Sequence, residues 1–110
     1  MMVWTAWNNG ANHKSGAGYG FKIDACDRDQ FFNRDWKSIT VSLPNPSAAI
    51  EVEINIDKAS FWNETCRELI DREIGQWLLN NQHAPWPLRN PPKFAVKHIA
   101  DRYFAIINVI

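Results

Sequence analysis

The stretch from Ser60 to Asn80, SFWNETCRELIDREIGQWLLN, decides how the rest of the chain is read. At about 100° per residue, Trp62, Cys66, Leu69, Ile70, Ile74 and Trp77 fall in one arc, the stripe of a helix lying across a sheet. Ser60 or Asp57 would cap this helix and Asn80-Asn81 would stop it. Gly75, near its far end, weakens it by about 1 kcal/mol relative to Ala. Glu73 lies about 20° from Trp62 around such a helix, so a carboxylate is expected inside the apolar arc. A charge there needs a partner or a raised pKa. One reading is a buried tie to a backbone N–H, an indole N–H or a tail cation. The other is an acid at the floor of a small-molecule pocket roofed by the Gly-rich loop.

Strand patterns surround this segment. Met2 to Trp7 is Val- and Trp-rich and ends at the turn signal Asn8-Asn9-Gly10. Tyr19, Phe21 and Ile23 alternate with small or polar residues, and the glycine face they leave lets another backbone approach closely. Ile39, Val41 and Leu43, then Ile50, Val52, Ile54 and Ile56, form two period-two runs joined by Pro44-Asn45-Pro46-Ser47, which predicts a hairpin. Phe94–Ile99 and Tyr103–Val109 close the chain as two further strands, the last apolar on both faces. That last strand is either central and covered on both sides or buried at a subunit contact. A short helix is expected after Asp27, with Gln30 completing its start signal. The expectation is therefore one α+β domain over 1–110. An antiparallel sheet of about five or six strands would be packed by one long helix, with one short helix added.

Composition narrows the function. Twelve Lys and Arg balance twelve Asp and Glu among 110 residues, which argues against anchorage to nucleic acid or a membrane by bulk charge. No apolar run approaches the length of a membrane span and no basic-then-apolar start resembles a secretory signal. Cys26 and Cys66 make no disulfide framework and no CxxC, so the expected compartment is a reducing cytoplasm. The charge is uneven along the chain. Glu51 to Glu73 carries seven acids against three bases, and the segment from His83 onward carries four bases against Asp101 alone. Complementarity within the molecule or between subunits is the economical reading. Six tryptophans are many for so small a core, which puts at least one on a binding surface.

Motifs for chemistry are sparse. In Gly10-Ala11-Asn12-His13-Lys14-Ser15-Gly16 the Lys-Ser pair resembles the end of a phosphate loop. The glycine spacing is wrong, however, and the segment leads into a strand instead of a helix. Gly16-x-Gly18-x-Gly20 likewise misses the dinucleotide fingerprint, so no cofactor is expected. His13, His83 and His98 lack metal-ligand spacing, so no metal is expected either. Asp24 with Asp35-Trp36-Lys37 resembles the carboxylates and lysine of metal-dependent nucleases, although turn carboxylates beside a short helix account for the same residues. The segment Ala84 to Phe94 joins a stiff proline backbone to a ring and two cations, a combination suited to a binding hot spot or to stacking on single-stranded nucleic acid.

The strings Thr5–Gly10, Gly16–Phe21, Ser60–Asn63 with Cys66, Glu68 and Leu69, and Asn90–Phe94 resemble a group of small uncharacterised bacterial proteins carried on mobile elements such as integron gene cassettes. The resemblance implies a bacterial, cytoplasmic accessory protein and carries over no functional residue. The leading expectation is a non-enzymatic, self-associating binding module. Its surface would comprise Asn9, Asn12, His13 and Lys14 of the loop, Glu73, and Trp86, Arg89 and Lys93 of the proline-rich segment. A metal-dependent nuclease or single-stranded nucleic-acid binder, and a small-molecule pocket based on Glu73, are the alternatives. A homo-oligomer is the expected assembly, with a small ligand or protein partner ahead of nucleic acid, and no membrane.

Overall fold

The computed structural model describes residues 2–110, so the first residue of the expected domain lies outside the described residues. The chain runs β1 (Met2–Asn8), β2 (Tyr19–Lys22), α1 (Ala25–Phe31), β3 (Ser38–Leu43), β4 (Ile50–Asn55), α2 (Ala59–Trp62), β5 (Glu68–Ile70), α3 (Arg72–Asn80), β6 (Lys93–Ala100) and β7 (Tyr103–Val109). One seven-stranded sheet takes them in the order β4-β3-β7-β6-β1-β2-β5. Every neighbouring pair is antiparallel except β3 and β7, which run parallel. The outer strands β4 and β5 come back toward each other, so the sheet is nearly closed into a barrel.

The expected α+β sandwich is thereby corrected to a mostly β, mixed, barrel-like sheet. The long helix over 60–80 does not exist. It is three elements: α2 with four residues, β5 with three and α3 with nine. Two polar residues inside the periodic pattern explain the break. The Asn63 side-chain oxygen accepts the backbone N–H groups of Thr65 at 3.0 Å and Cys66 at 2.7 Å, which closes a turn where the helix would continue. The Asp71 carboxylate accepts Glu73 N–H at 2.8 Å and starts α3 afresh as an N-cap. Between them Arg67 turns the chain at φ 59, and Leu69 points inward between the outer residues Glu68 and Ile70 in strand alternation.

Restarting the helix resets its faces. In α3 the buried side chains are Ile74, Trp77 and Leu78, while Glu73 is exposed, so the expected buried acid is not one. Gly75 is buried against the loop between β1 and β2. A Cβ on it would meet the Gly16 carbonyl oxygen and stand 2.5 Å from Gly16 Cα. The glycine that weakens the helix is what lets the loop dock on it. Gly20 serves the same purpose on the sheet, because a Cβ there would collide with the Leu69 carbonyl of β5.

Helix α1 begins at Ala25 after Asp24, so Asp27, expected to precede the helix, lies in its first turn, while the remaining strands follow their patterns. β3 and β4 pair in full register from Ser38↔Asn55 to Leu43↔Ile50. β7 is central, with Phe104 and Ile106 inside. Its outer apolar residues Ile107 and Val109, and Ile110 just beyond it, stay exposed, so it is covered on one face only. The barrel interior holds Trp4 and Phe104 with ring centroids 5.7 Å apart, and Phe32 stacked on Phe104 at 4.7 Å. Each large side chain buried here contributes about 1.5–3 kcal/mol by area. At the end where β2 finishes, buried Arg28 of α1 donates from Nη1 to the Phe61 carbonyl at 3.1 Å and the Asn63 carbonyl at 2.6 Å. It ties α1 to α2 and plugs that end.

Candidate ligand cleft at the open end of the barrel

The opposite end is where β1, β3 and β7 finish and β2, β4 and β6 begin, a placement set by the strand directions. All the long loops but those of α1 and α2 gather there. Between the β3–β4 turn and the end of α3 lies a cleft of about 330 Å³ whose walls include Pro44, Trp77, His83 and Phe94.

Local chemistry fixes each wall. The Trp77 indole N–H donates to the Pro44 carbonyl at 2.7 Å, which joins α3 to the β3–β4 turn across the mouth. α3 ends when Asn81 Nδ2 donates back to the Trp77 carbonyl at 2.9 Å. The chain then turns sharply, with His83 N–H donating to the Leu78 carbonyl at 2.8 Å, and this aims the imidazole into the cleft. The His83 ring centre lies 5.2 Å from that of Trp77 and 5.0 Å from that of Phe94. Burial among these rings pushes its pKa below the ordinary histidine value, so the imidazole is neutral at pH 7 and offers one donor and one acceptor. Asn45, Asn81 and Asn108 complete the lining. Asn81 and Asn108 spend an amide N–H on main-chain carbonyls, while among the described residues their side-chain oxygens accept no hydrogen bond from the protein. The surface is an aromatic floor edged by amides.

A second cleft of about 450 Å³ adjoins the first and shares His83 and Val109 with it. It brings in Trp86 and Lys93 from the proline-rich segment, together with Asn90 and Ile110. The Trp86 ring is half-buried and stands edge-on to Tyr19 at 5.9 Å, so one side of it is already used in packing. Pro92 anchors the segment by accepting Ala6 N–H at 2.9 Å.

Of the residues singled out from sequence, Trp86 and Lys93 therefore line this pair of clefts. Arg89 is exposed on the turn closed by Asn90 N–H to the Pro87 carbonyl. Asn9, Asn12, His13 and Lys14 are exposed on the β1–β2 loop at the same end, a loop held by Gln76 and Arg72 donating to the Ser15 carbonyl at 3.2 and 3.4 Å. Glu73 is exposed on α3 and floors no pocket. Asp24 and Asp35 are exposed, and Lys37 pairs with Asp57 at 3.2 Å. Among the described residues no three His, Cys, Asp or Glu side chains form a metal-holding group. His83, Asn45, Asn81 and Asn108 are not among the expected surface residues, because their local signals read only as a histidine without ligand spacing, a turn and a helix stop. Their meeting depends on the parallel β3–β7 pair and on where α3 stops.

The chain matches no protein-family model, no curated protein and no solved structure. Its class is defined by its own geometry: a barrel-like sheet plugged at one end and cleft at the other. Among the described residues no helix is long and apolar enough to cross a membrane.

Proposed function

We propose that the protein is a non-catalytic binding module whose open-end cleft takes a small planar heterocycle. The observation that carries this reading is the Trp77–His83–Phe94 ring cluster, whose rings meet tilted or edge-on, beside amide oxygens that among the described residues accept no hydrogen bond. A flat ring packs against the partly exposed His83 imidazole that the Trp77 and Phe94 rings hold in place, and its N–H groups satisfy the Asn81 and Asn108 oxygens. Neutral His83 adds one donor and one acceptor at the same edge. The proline-rich segment with Trp86 and Lys93 borders the bound ring and adds a cation for an anionic substituent.

The experiment is a two-dimensional NMR titration of the full chain with free purine and pyrimidine bases and simple benzimidazoles. Expected shifts concentrate on the Trp77 indole N–H and on residues 44–46, 81–83 and 108–109, and His83→Ala weakens binding by about fivefold. Shifts confined to Asn9–Lys14, or no response from any ring compound, would remove the reading.

Self-association belongs to the same proposal. Ile110, 70% exposed, lines the Trp86 cleft, and Leu88, 90% exposed, follows its lining residue Pro87, so a second copy would cover them. Sedimentation at micromolar concentration tests this, a strict monomer counting against it. Cytoplasmic placement is proposed on the two free cysteines, one exposed.

A further inference from the structure

A further concave apolar surface lies away from the open end. It is a groove of about 570 Å³ bordered by Met2, Phe31, Val96, Lys97, His98 and Ile107. Met2 and Val96 are almost wholly buried and form its floor. Phe31 closes one side at the last turn of α1, edge-on to the His98 ring at 5.8 Å. His98 is itself fixed, packed on Phe104 at 4.7 Å and bonded through Nε2 to the Asp101 carbonyl at 2.6 Å.

Two features separate this groove from an ordinary dent. The first is a register shift between β6 and β7: Ala95 pairs with Asn108 and Val96 with Ile106, which leaves Ile107 as the extra residue. A bulge re-aims the side chain it carries, and here it leaves Ile107 46% exposed at the groove's edge. The second is Lys97. It is exposed at the rim, and among the described residues its ammonium makes no ion pair and no side-chain hydrogen bond. The nearby Asp101 carboxylate is engaged by Arg102 at 3.9 Å.

We infer that this groove binds the tail of an anionic amphiphile, a medium-chain fatty acid whose carboxylate meets Lys97. An apolar trough with Lys97 at its rim, a cation unpaired among the described residues, matches a ligand that is apolar along its length and negative at one end. A neutral hydrocarbon would leave the cation unused, and a cationic amphiphile would be repelled by it. The site is distinct from the Trp77–His83 cleft, so either can fail without the other.

The test titrates the full chain with hexanoate, octanoate and decanoate below their micellar concentrations, followed by the methyl signals of Met2 and Ile107 and by calorimetry. Each further methylene buried is expected to tighten binding about fourfold, with shifts at Met2 and Ile107 and none at the Trp77 indole N–H. Lys97→Gln should weaken decanoate about three- to fivefold and leave decanol unchanged. Ile107→Asp should weaken both. The chain-length series on the unaltered protein stands whatever any variant does to folding. The inference is overturned if affinity is flat with chain length, if decyltrimethylammonium binds as well as decanoate, or if the shifts map to the Trp77–His83 cleft. It is also overturned if sedimentation shows a dimer that Ile107→Asp dissociates, because a second copy would then occupy the groove.

Discussion

Replacing Gly75 by Ala sets two effects of opposite sign against each other. In an isolated helix the substitution stabilises by about 1 kcal/mol, because Ala loses less backbone freedom than Gly. In this fold the new Cβ meets the Gly16 carbonyl oxygen and lies 2.5 Å from Gly16 Cα and 2.6 Å from its carbonyl carbon, all main-chain atoms that cannot rotate away. The β1–β2 loop must lift. Overpacking of this kind costs about 1–3 kcal/mol. Lifting also strains the bonds from Gln76 and Arg72 to the Ser15 carbonyl, which contribute about 0.5–1 kcal/mol each. After subtracting the propensity gain, the net loss is about 1–4 kcal/mol, or about 5–20 °C in Tm for a chain of this size. Urea denaturation is the assay, with an unchanged m-value expected because little surface is newly exposed in the folded state. A separate Gln76→Ala variant measures the bond contribution and should lose less than about 1 kcal/mol. A rise in the urea midpoint for Gly75→Ala would refute the loop-on-helix contact, since only propensity would then be acting.

Arg28→Ala should lose about 3–4 kcal/mol by urea denaturation, since two charge-assisted bonds to the Phe61 and Asn63 carbonyls disappear and the Trp62 ring loses one of its two cations, Arg34 staying at 5.0 Å. Arg28→Lys should recover less than half of it, because an ammonium lacks the planar fork, and a loss under about 1 kcal/mol would mean that Arg28 is no plug. Asn63→Ala should cost about 1–2 kcal/mol by leaving the Thr65 and Cys66 N–H groups without their acceptor, and unchanged stability would remove this turn as the helix breaker. His83 gives a pH dependence of definite sign. Its folded pKa lies below the unfolded value of 6.5, so the unfolded chain takes up a proton first as the pH falls. Its contribution is complete above 6.5 and is lost as the pH drops below that value toward the folded pKa. Comparing urea midpoints of the wild type and His83→Gln across pH 5–8 should show a shallower decline in the variant; parallel curves would contradict the partly buried, neutral imidazole.

Strand alternation carried most of what was legible beforehand. Ile39–Val41–Leu43 against Val52–Ile54 gives the β3–β4 hairpin, and Phe94–Val96 with Phe104–Ile106 gives β6 and β7, because a period of two puts every second side chain on one face whatever lies beyond it. The proline-rich crossing and the close approach at Gly20 were equally readable, the first from missing N–H groups and fixed φ, the second from a missing Cβ. The segment 60–80 was not. Its apolar residues satisfy a helical period over its whole length, and the period is blind to two short polar side chains that outcompete the helix for backbone N–H groups. Asn63 and Asp71 were there to be read, but each is ambiguous until β2 offers Leu69 a strand to pair with.

The site divides along the same line. Residue type and order alone determine that the chain has alternating strands, a rigid Trp86 segment, a strand whose glycine face admits a close neighbour, and no charge excess to hold it to a polyanion. Only the tertiary structure decides that β3 lies parallel to β7, that Glu73 faces outward, and that His83 meets Trp77, Phe94 and the asparagines. The physical reason is range. Periodicity, caps and turns act within a few residues, whereas these meetings join Pro44 to Trp77 and His83 to Phe94 through the order in which the strands close the barrel.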